Sequence, residues 1–317
     1  MSKRARSNIM LFMTAFIWGT AFVAQKVGAD LGALTFNGIR TFIGGLFLIP
    51  VIYILGSVKK KKNVEIEMSQ EEKDRYRKMT IIGGIVCGVV LCAASTLQQF
   101  GLYFTSAGKT GFITALYTVI VPIISIILGR KIRPIIWLCV AFGAAGLYFL
   151  CLKPGEFYFT VGDLFVLACA FLFAVHILVI DYFSPRADGV KMSCIQFLIA
   201  GGICMVLMFF FENPQIGVIL KYSLPILYAG ILSCGVAYTL QIVAQANAEP
   251  TQASLILCLE SVFSVLGGAV ILGERMDPRG YLGCALIFAA VVISNLPSRE
   301  DKLAVRKQNT LTKGRRK

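Results

Sequence analysis

Thr96-Leu97-Gln98 recurs as Thr239-Leu240-Gln241, 143 positions on, and Leu128-Gly129-Arg130-Lys131 recurs as Leu272-Gly273-Glu274-Arg275, 144 positions on. Both pairs hold the same order among long apolar segments. The near-constant offset therefore marks a duplicated unit rather than two chance matches. Membrane carriers are commonly assembled from such repeats, packed about a site near the bilayer midplane.

Composition places the repeats in lipid. The 317 residues are 57% hydrophobic and 15% charged, which would leave a soluble globule with more apolar surface than it could cover. Backbone polar groups must be satisfied within the bilayer, and the apolar runs are about 20 residues long, so the spans read as helices and not barrel strands. Ten are expected, at residues 8–26, 33–56, 79–99, 110–128, 134–152, 162–183, 191–211, 222–244, 251–272 and 280–296. Lys3-Arg4-Arg6 before the first run resembles the start of a secretory signal, but nine further spans and no clear small-residue cleavage site favour a retained helix.

Charge gives an orientation. With the amino terminus cytoplasmic, most of the 31 lysines and arginines fall in inner segments, notably 57–78, Arg130-Lys131-Ile132-Arg133 and the tail 297–317. The inside-positive rule then puts both termini in the cytoplasm of a multi-pass cell-membrane protein. Five spans per half is an odd number, so the second half enters the bilayer inverted. The loops agree, since the wholly basic Arg130–Arg133 falls inside, whereas its counterpart Glu274 to Arg279, carrying two acids, falls outside. The expected architecture is all-α: a five-helix repeat over 8–152, its inverted copy over 162–296 and a basic cytoplasmic tail over 297–317.

A net charge of +14 raises nucleic acid as a partner. The basic residues concentrate beside the membrane, however, where they orient the chain and meet anionic lipid headgroups. No nucleic-acid partner is expected. All ten cysteines fall in apolar spans and none forms a Cys-x-x-Cys, so they read as small packing residues. A single histidine argues against a His-based metal centre. Gly108-Lys109-Thr110 resembles the end of a phosphate-binding loop, but Tyr103 stands where that loop needs glycine, and the segment opens a membrane helix. No cofactor and no ATP site is expected, and the oligomeric state is left open.

Ala15-Phe16-Ile17-Trp18-Gly19-Thr20-Ala21-Phe22, Phe36-Asn37-Gly38-Ile39-Arg40, Tyr117 five residues before Pro122, and Leu272-Gly273-Glu274-Arg275 together resemble the EamA-like family of the drug/metabolite transporter superfamily. The resemblance covers about residues 8–296. It implies a secondary carrier, and many members export amino acids or related metabolites. The chain departs from the family pattern in helix 9, where Leu259-Glu260-Ser261 lacks the proline that follows the acid, so a kink there is not expected on that ground.

Polar groups at membrane depth are costly unless they face the bundle interior, a partner or water, and so they are the candidate site residues. Arg40 lies seven residues into the second span, roughly 10 Å along the axis. It suits a substrate carboxylate or an ion pair, and the family motif, which also has arginine here, favours a structural or gating role. Glu260, near mid-span, suits a cationic group, a coupling proton or a structural pairing with Arg40. His176 could serve a proton relay, though a lone histidine on an apolar helix is more often a packing residue.

Gln98 and Gln241 are repeat equivalents that inversion places near opposite ends of their helices; with Gln245 they suit a gate or cavity wall, or interhelical glue. Trp18, Tyr117 and Tyr238 are aromatics too deep for an interfacial belt and suit either a cavity lining or the core. Gly84 and Gly88 read as close helix packing. The function expected is transport of a small polar metabolite by alternating access, outward in direction, and no enzyme activity. The alternatives are a membrane enzyme acting on a lipid-borne substrate, which would need clustered His, Asp or Cys groups, and a non-transporting membrane subunit.

Overall fold

Helix boundaries follow from capping chemistry. The computed structural model describes residues 3–28, 31–61, 68–104, 107–152, 160–272 and 277–296, and among these every regular element is helical. The tail 297–317 and the Gly273-Glu274-Arg275-Met276 end of the ninth span lie outside the described residues.

The first half comprises α1 (Lys3–Val27), α2 (Ala33–Lys61), α3 (Gln70–Leu102), α4 (Ala107–Ala115), α5 (Tyr117–Ile127) and α6 (Pro134–Cys151). The second comprises α7 (Val161–Phe183), α8 (Gly189–Phe211), α9 (Ile216–Lys221), α10 (Ser223–Leu227), a π-helical segment (Tyr228–Tyr238), α11 (Thr239–Gln245), α12 (Pro250–Leu257), α13 (Leu259–Leu272) and α14 (Pro278–Asn295). Eight helices among the described residues are long and apolar enough to cross a membrane, and they overlie expected spans 2–4 and 6–10. The shorter apolar helix Pro134–Leu150 overlies the fifth, and α1 overlies the first.

Capping boxes open α3, between Ser69 and Glu72, and α7, between Thr160 and Asp163. The Ser69 box carries helix back through Gln70–Lys78, a stretch that its charge marks as polar and that continues the membrane helix. Gly129, at φ +78°, closes α5: Arg130 N–H donates to Ser125 O and Gly129 N–H to Ile126 O, a Schellman-type stop. That left-handed residue explains the glycine in Leu128-Gly129-Arg130.

Contacts between helix ends sort the bundle onto two faces. On one, Asn8 donates to Asn295 Oδ1 at 2.7 Å, Gln252 donates to the same oxygen at 2.9 Å, Arg130 pairs with Asp181 at 2.5 Å, and Asp188 N–H donates to Thr80 at 2.9 Å. On the other, Gln99 donates to Gln25 at 3.3 Å, and the Glu212 carboxylate accepts from Leu34 N–H, Thr35 N–H and the Thr35 hydroxyl at 2.8, 2.8 and 2.6 Å. Glu212 thus caps α2 from a helix far along the chain, as favourable charge placement at a helix N-terminus requires.

The helix pairings are reciprocal between the halves. α2 packs on α8, and α6 on α14; α1 packs on α13 and the π segment, while α7 packs on α3, α4 and α5. A Cβ at Gly45 would meet Leu198, and a Cβ at Gly201 would meet Phe42. Gly146 opposes Ile287 just as Gly283 opposes Leu150. In each case a single offset relates both partners, 156 residues for the first and 137 for the second, which is how isologous contacts about a two-fold axis behave. Gly84 and Gly88 let α3 lie against Ile195, Gln196 and Ile199 of α8, the close packing expected of that face.

Three spans are interrupted. The fourth breaks at Leu116, between α4 and α5, and the ninth at Cys258, between α12 and α13. At both places the backbone tightens to i→i+3 bonding, Val119 N–H to Leu116 O and Ser261 N–H to Cys258 O. Helix 9 therefore carries its tightened turn without a proline after Glu260. The eighth span widens into the π segment over Tyr228–Tyr238.

Candidate functional site

Helix breaks put side chains where an unbroken helix would bury only its own turns. Tyr117 is the first residue of α5 and Glu260 the second of α13, each just past its break, and Tyr117 OH donates to Glu260 Oε1 at 3.1 Å. Gly19 lets α1 approach here so closely that a Cβ on it would lie 2.7 Å from Glu260 O. Trp18 is thereby set beside the acid. Its ring lies 4.4 Å from that of Tyr238, at the end of the π segment, and its buried Nε1–H has no partner among the described residues.

These residues line a cavity of about 60 Å³, room for several waters or a small solute. Its walls hold Trp18, Arg40, Gln98, Tyr117, Tyr238 and Glu260, six residues singled out by the sequence, together with Gln25, Ser95, Thr114, Phe173 and Ser233. The cavity extends from Trp18 to Gln25 along α1, seven residues or about 10 Å. It therefore lies toward the Gln25 face. On the Asn8 side the bundle is filled by a buried apolar cluster that includes Leu11, Ala15, Ile177, Ala244 and Leu257.

Arg40 and Glu260 are each 7% exposed and line the same space, yet no ion pair joins them. The structural pairing that the sequence allows is not formed. Arg40 Nε instead donates to Asn37 Oδ1 at 2.9 Å, and Asn37, fully buried, donates in turn to Ser95 O at 3.2 Å. The chain Ser95–Asn37–Arg40 anchors one edge of the guanidinium fork, and among the described residues its other two nitrogens carry no acidic partner. Gln98 Nε2 donates to Thr114 Oγ1 at 3.1 Å, tying α3 to α4 at the cavity wall.

Three sequence candidates stand outside this cavity. His176 is buried with Nε2 2.9 Å from Gln196 Oε1, Gln245 Nε2 donates to Ile177 O at 3.1 Å, and Gln241 is buried on the same face of α11 as Gln245. All three lie toward the Asn8 side. The lining residues that sequence reasoning passed over are mostly small or neutral. Phe173 alone carries a readable signal, because Ala170-Phe171-Leu172-Phe173 repeats Ala15-Phe16-Ile17-Trp18.

Among the described residues the site holds one cation, one acid, several neutral donors and acceptors, and aromatic walls, a set that can orient a small polar solute. Cys92 and Cys204 approach to 3.4 Å away from it and are free thiols.

The family model of the EamA-like transporter family matches residues 5–152 and 160–296. An uncharacterized transporter of Archaeoglobus fulgidus is 29% identical over 93% of this chain and 87% of its own length. The uncharacterized transporter YoaV of Bacillus subtilis is 24% identical over 92% of this chain and 98% of its own. A solved crystal structure superposes with a TM-score of 0.76 at 18% identity, covering 93% of this chain and 98% of that one, which is a likeness of fold.

Proposed function

This chain belongs to the EamA-like transporter family, and on that premise we propose that it is a secondary carrier of a small zwitterionic metabolite, an amino acid or a close relative. It is a multi-pass membrane protein and a transporter; solute class, direction and mechanism are the proposal. The observation that carries it is the cavity itself, in which Arg40 and Glu260 present opposite charge types to the same space without pairing with each other. A carboxylate suits the free nitrogens of Arg40, an ammonium suits Glu260, and Trp18, Phe173 and Tyr238 supply the apolar and aromatic wall that buries the rest of the solute. Among the described residues neither side chain has an oppositely charged partner, which leaves each for a solute to satisfy.

Alternating access is the mechanism proposed. The two halves rock about the axis between them, the cavity now facing the Gln25 side closes, and the packed Asn8 side opens. With the Asn8 face in the cytoplasm of a cell membrane, the direction proposed is export.

Purified protein in liposomes, given radiolabelled amino acids one at a time, should show saturable flux for at least one, with unlabelled solute competing. Arg40→Ala and Glu260→Gln, each eluting as a folded species, should both depress it. Saturable flux unchanged in both variants, or no saturable flux of any amino acid by the native chain, would overturn the reading.

A further inference from the structure

Repeat equivalence divides the cavity residues into two kinds. Trp18 and Phe173, and Ser95 and Tyr238, are equivalent pairs, Tyr117 and Glu260 are equivalent to within one residue, and both members of each line the cavity. Gln25, Arg40, Gln98, Thr114 and Ser233 are there without their equivalents, and two of these, Gln98 and Arg40, have amide counterparts elsewhere. The equivalent of Gln98 is Gln241, and that of Arg40, in the register that exchanges Phe42 with Leu198 and Gly45 with Gly201, is Gln196.

Gln196 and Gln241 share an unusual property. Among the described residues, Gln196, 0% exposed, has a buried Nε2 with no hydrogen-bond partner, and Gln241, 1% exposed, has a buried Oε1 with none. A third orphan, Gln245 Oε1, lies one turn from Gln241 on the same helix face. Buried amide atoms are ordinarily satisfied, and each exception calls for a reason. Three in one region, on the packed side of the bundle, have a common reason if their partner arrives only when that side opens.

We propose that Gln196, Gln241 and Gln245, with His176 held against Gln196, form a second solute station, collapsed in this conformation and exposed when the Asn8 side opens. It rests on the carrier reading above. Its chemistry differs from that of the cavity: the donor at Gln196 and the acceptors at Gln241 and Gln245 are neutral amides, so it takes hydrogen-bonding groups of a polar solute with no fixed charge of its own. The solute therefore meets Arg40 and Glu260 from the Gln25 side and leaves past neutral amides on the Asn8 side. The halves, alike in fold, are unlike in grip.

Single substitutions Gln98→Cys, Gln241→Cys and Gln245→Cys, each in the otherwise native chain, test the station. The probe is the membrane-impermeant thiol reagent 2-(trimethylammonium)ethyl methanethiosulfonate, applied to right-side-out and inside-out vesicles, with adducts counted by intact mass against the native chain. Gln98→Cys should gain one adduct from the face carrying Gln25 only. Gln241→Cys and Gln245→Cys should gain one from the opposite face only. Failure of both to label from either face while Gln98→Cys labels, or labelling of both from the same face as Gln98→Cys, would overturn the station. Labelling needs no knowledge of the solute. Opposite-face labelling would support the station even where no amino acid flux is measured, so the two readings fail separately.

Discussion

Tyr117 donates a hydrogen bond to Glu260, and the two residues are 143 positions apart, the offset that also relates Thr96-Leu97-Gln98 to Thr239-Leu240-Gln241. Positions within one residue of equivalence in the two halves therefore touch at the cavity, since Leu128-Gly129 and Leu272-Gly273 in the same spans are 144 apart. Each stands just beyond a tightened turn, so the same local break brings a phenol from one half against a carboxyl from the other.

That contact should behave as a unit. Tyr117→Phe removes the donor and leaves a buried carboxyl oxygen short of a partner, at a cost of about 1–3 kcal/mol. The double variant Tyr117→Phe/Glu260→Gln should reduce flux little more than Glu260→Gln alone, as read from a double-mutant cycle in liposomes. Full additivity would separate the two residues.

Asn37 should act through Arg40. Arg40→Lys keeps the charge but loses the Nε donor that Asn37 Oδ1 accepts, and with it the fixed plane of the fork. A rise of about tenfold in the half-saturating concentration, equivalent to about 1.4 kcal/mol, is expected with a smaller change in maximum rate. An unchanged half-saturation would remove the guanidinium geometry from solute binding.

Glycine contacts should decide stability by position. A Cβ at Gly283 would lie 2.6 Å from Gly146 O and 2.7 Å from Leu150 N, backbone atoms that cannot turn aside. Gly283→Ala should lower stability by about 1–3 kcal/mol through overpacking. Gly56 has nothing within 4 Å of a Cβ, so Gly56→Ala should be neutral or raise stability by up to about 1 kcal/mol. Thermal melts of the two variants in the same detergent would check the contrast in sign.

Glu212 should hold the start of α2. Glu212→Ala withdraws the acceptor from two backbone N–H groups and a hydroxyl, and the expected loss is about 1–2 kcal/mol, within the range for a helix N-cap. Glu212→Gln should recover part of it, since an amide oxygen still accepts. Melting temperatures of the three proteins give the test.

A reporter fused after Arg130 should behave as cytoplasmic and one after Glu274 as external, as the inside-positive distribution requires. The reverse pair would invert the membrane orientation and leave the cavity geometry intact.

Much of the architecture could be read in one dimension. Apolar runs of spanning length gave the helices, because a lipid-facing backbone must satisfy its own hydrogen bonds locally, and a repeated tripeptide gave the duplication. Six cavity residues, Trp18, Arg40, Gln98, Tyr117, Tyr238 and Glu260, were legible because a polar or amphipathic group at membrane depth is costly wherever it lacks a purpose. Ser95, Thr114 and Ser233 were not, since a hydroxyl in a membrane helix can satisfy itself on its own preceding turn and so carries no sign of facing a cavity.

What only the tertiary structure decided was which face each helix turns inward and on which side the bundle leaves room. Gln98 and Gln241 are the same residue in the same tripeptide, yet one lines the cavity and the other is buried with an oxygen that has no partner among the described residues. Sequence determined their equivalence, because repeat and hydropathy are properties of the chain alone. Their difference comes from packing between segments more than a hundred residues apart, where glycine contacts and broken helices set the side on which the two halves close.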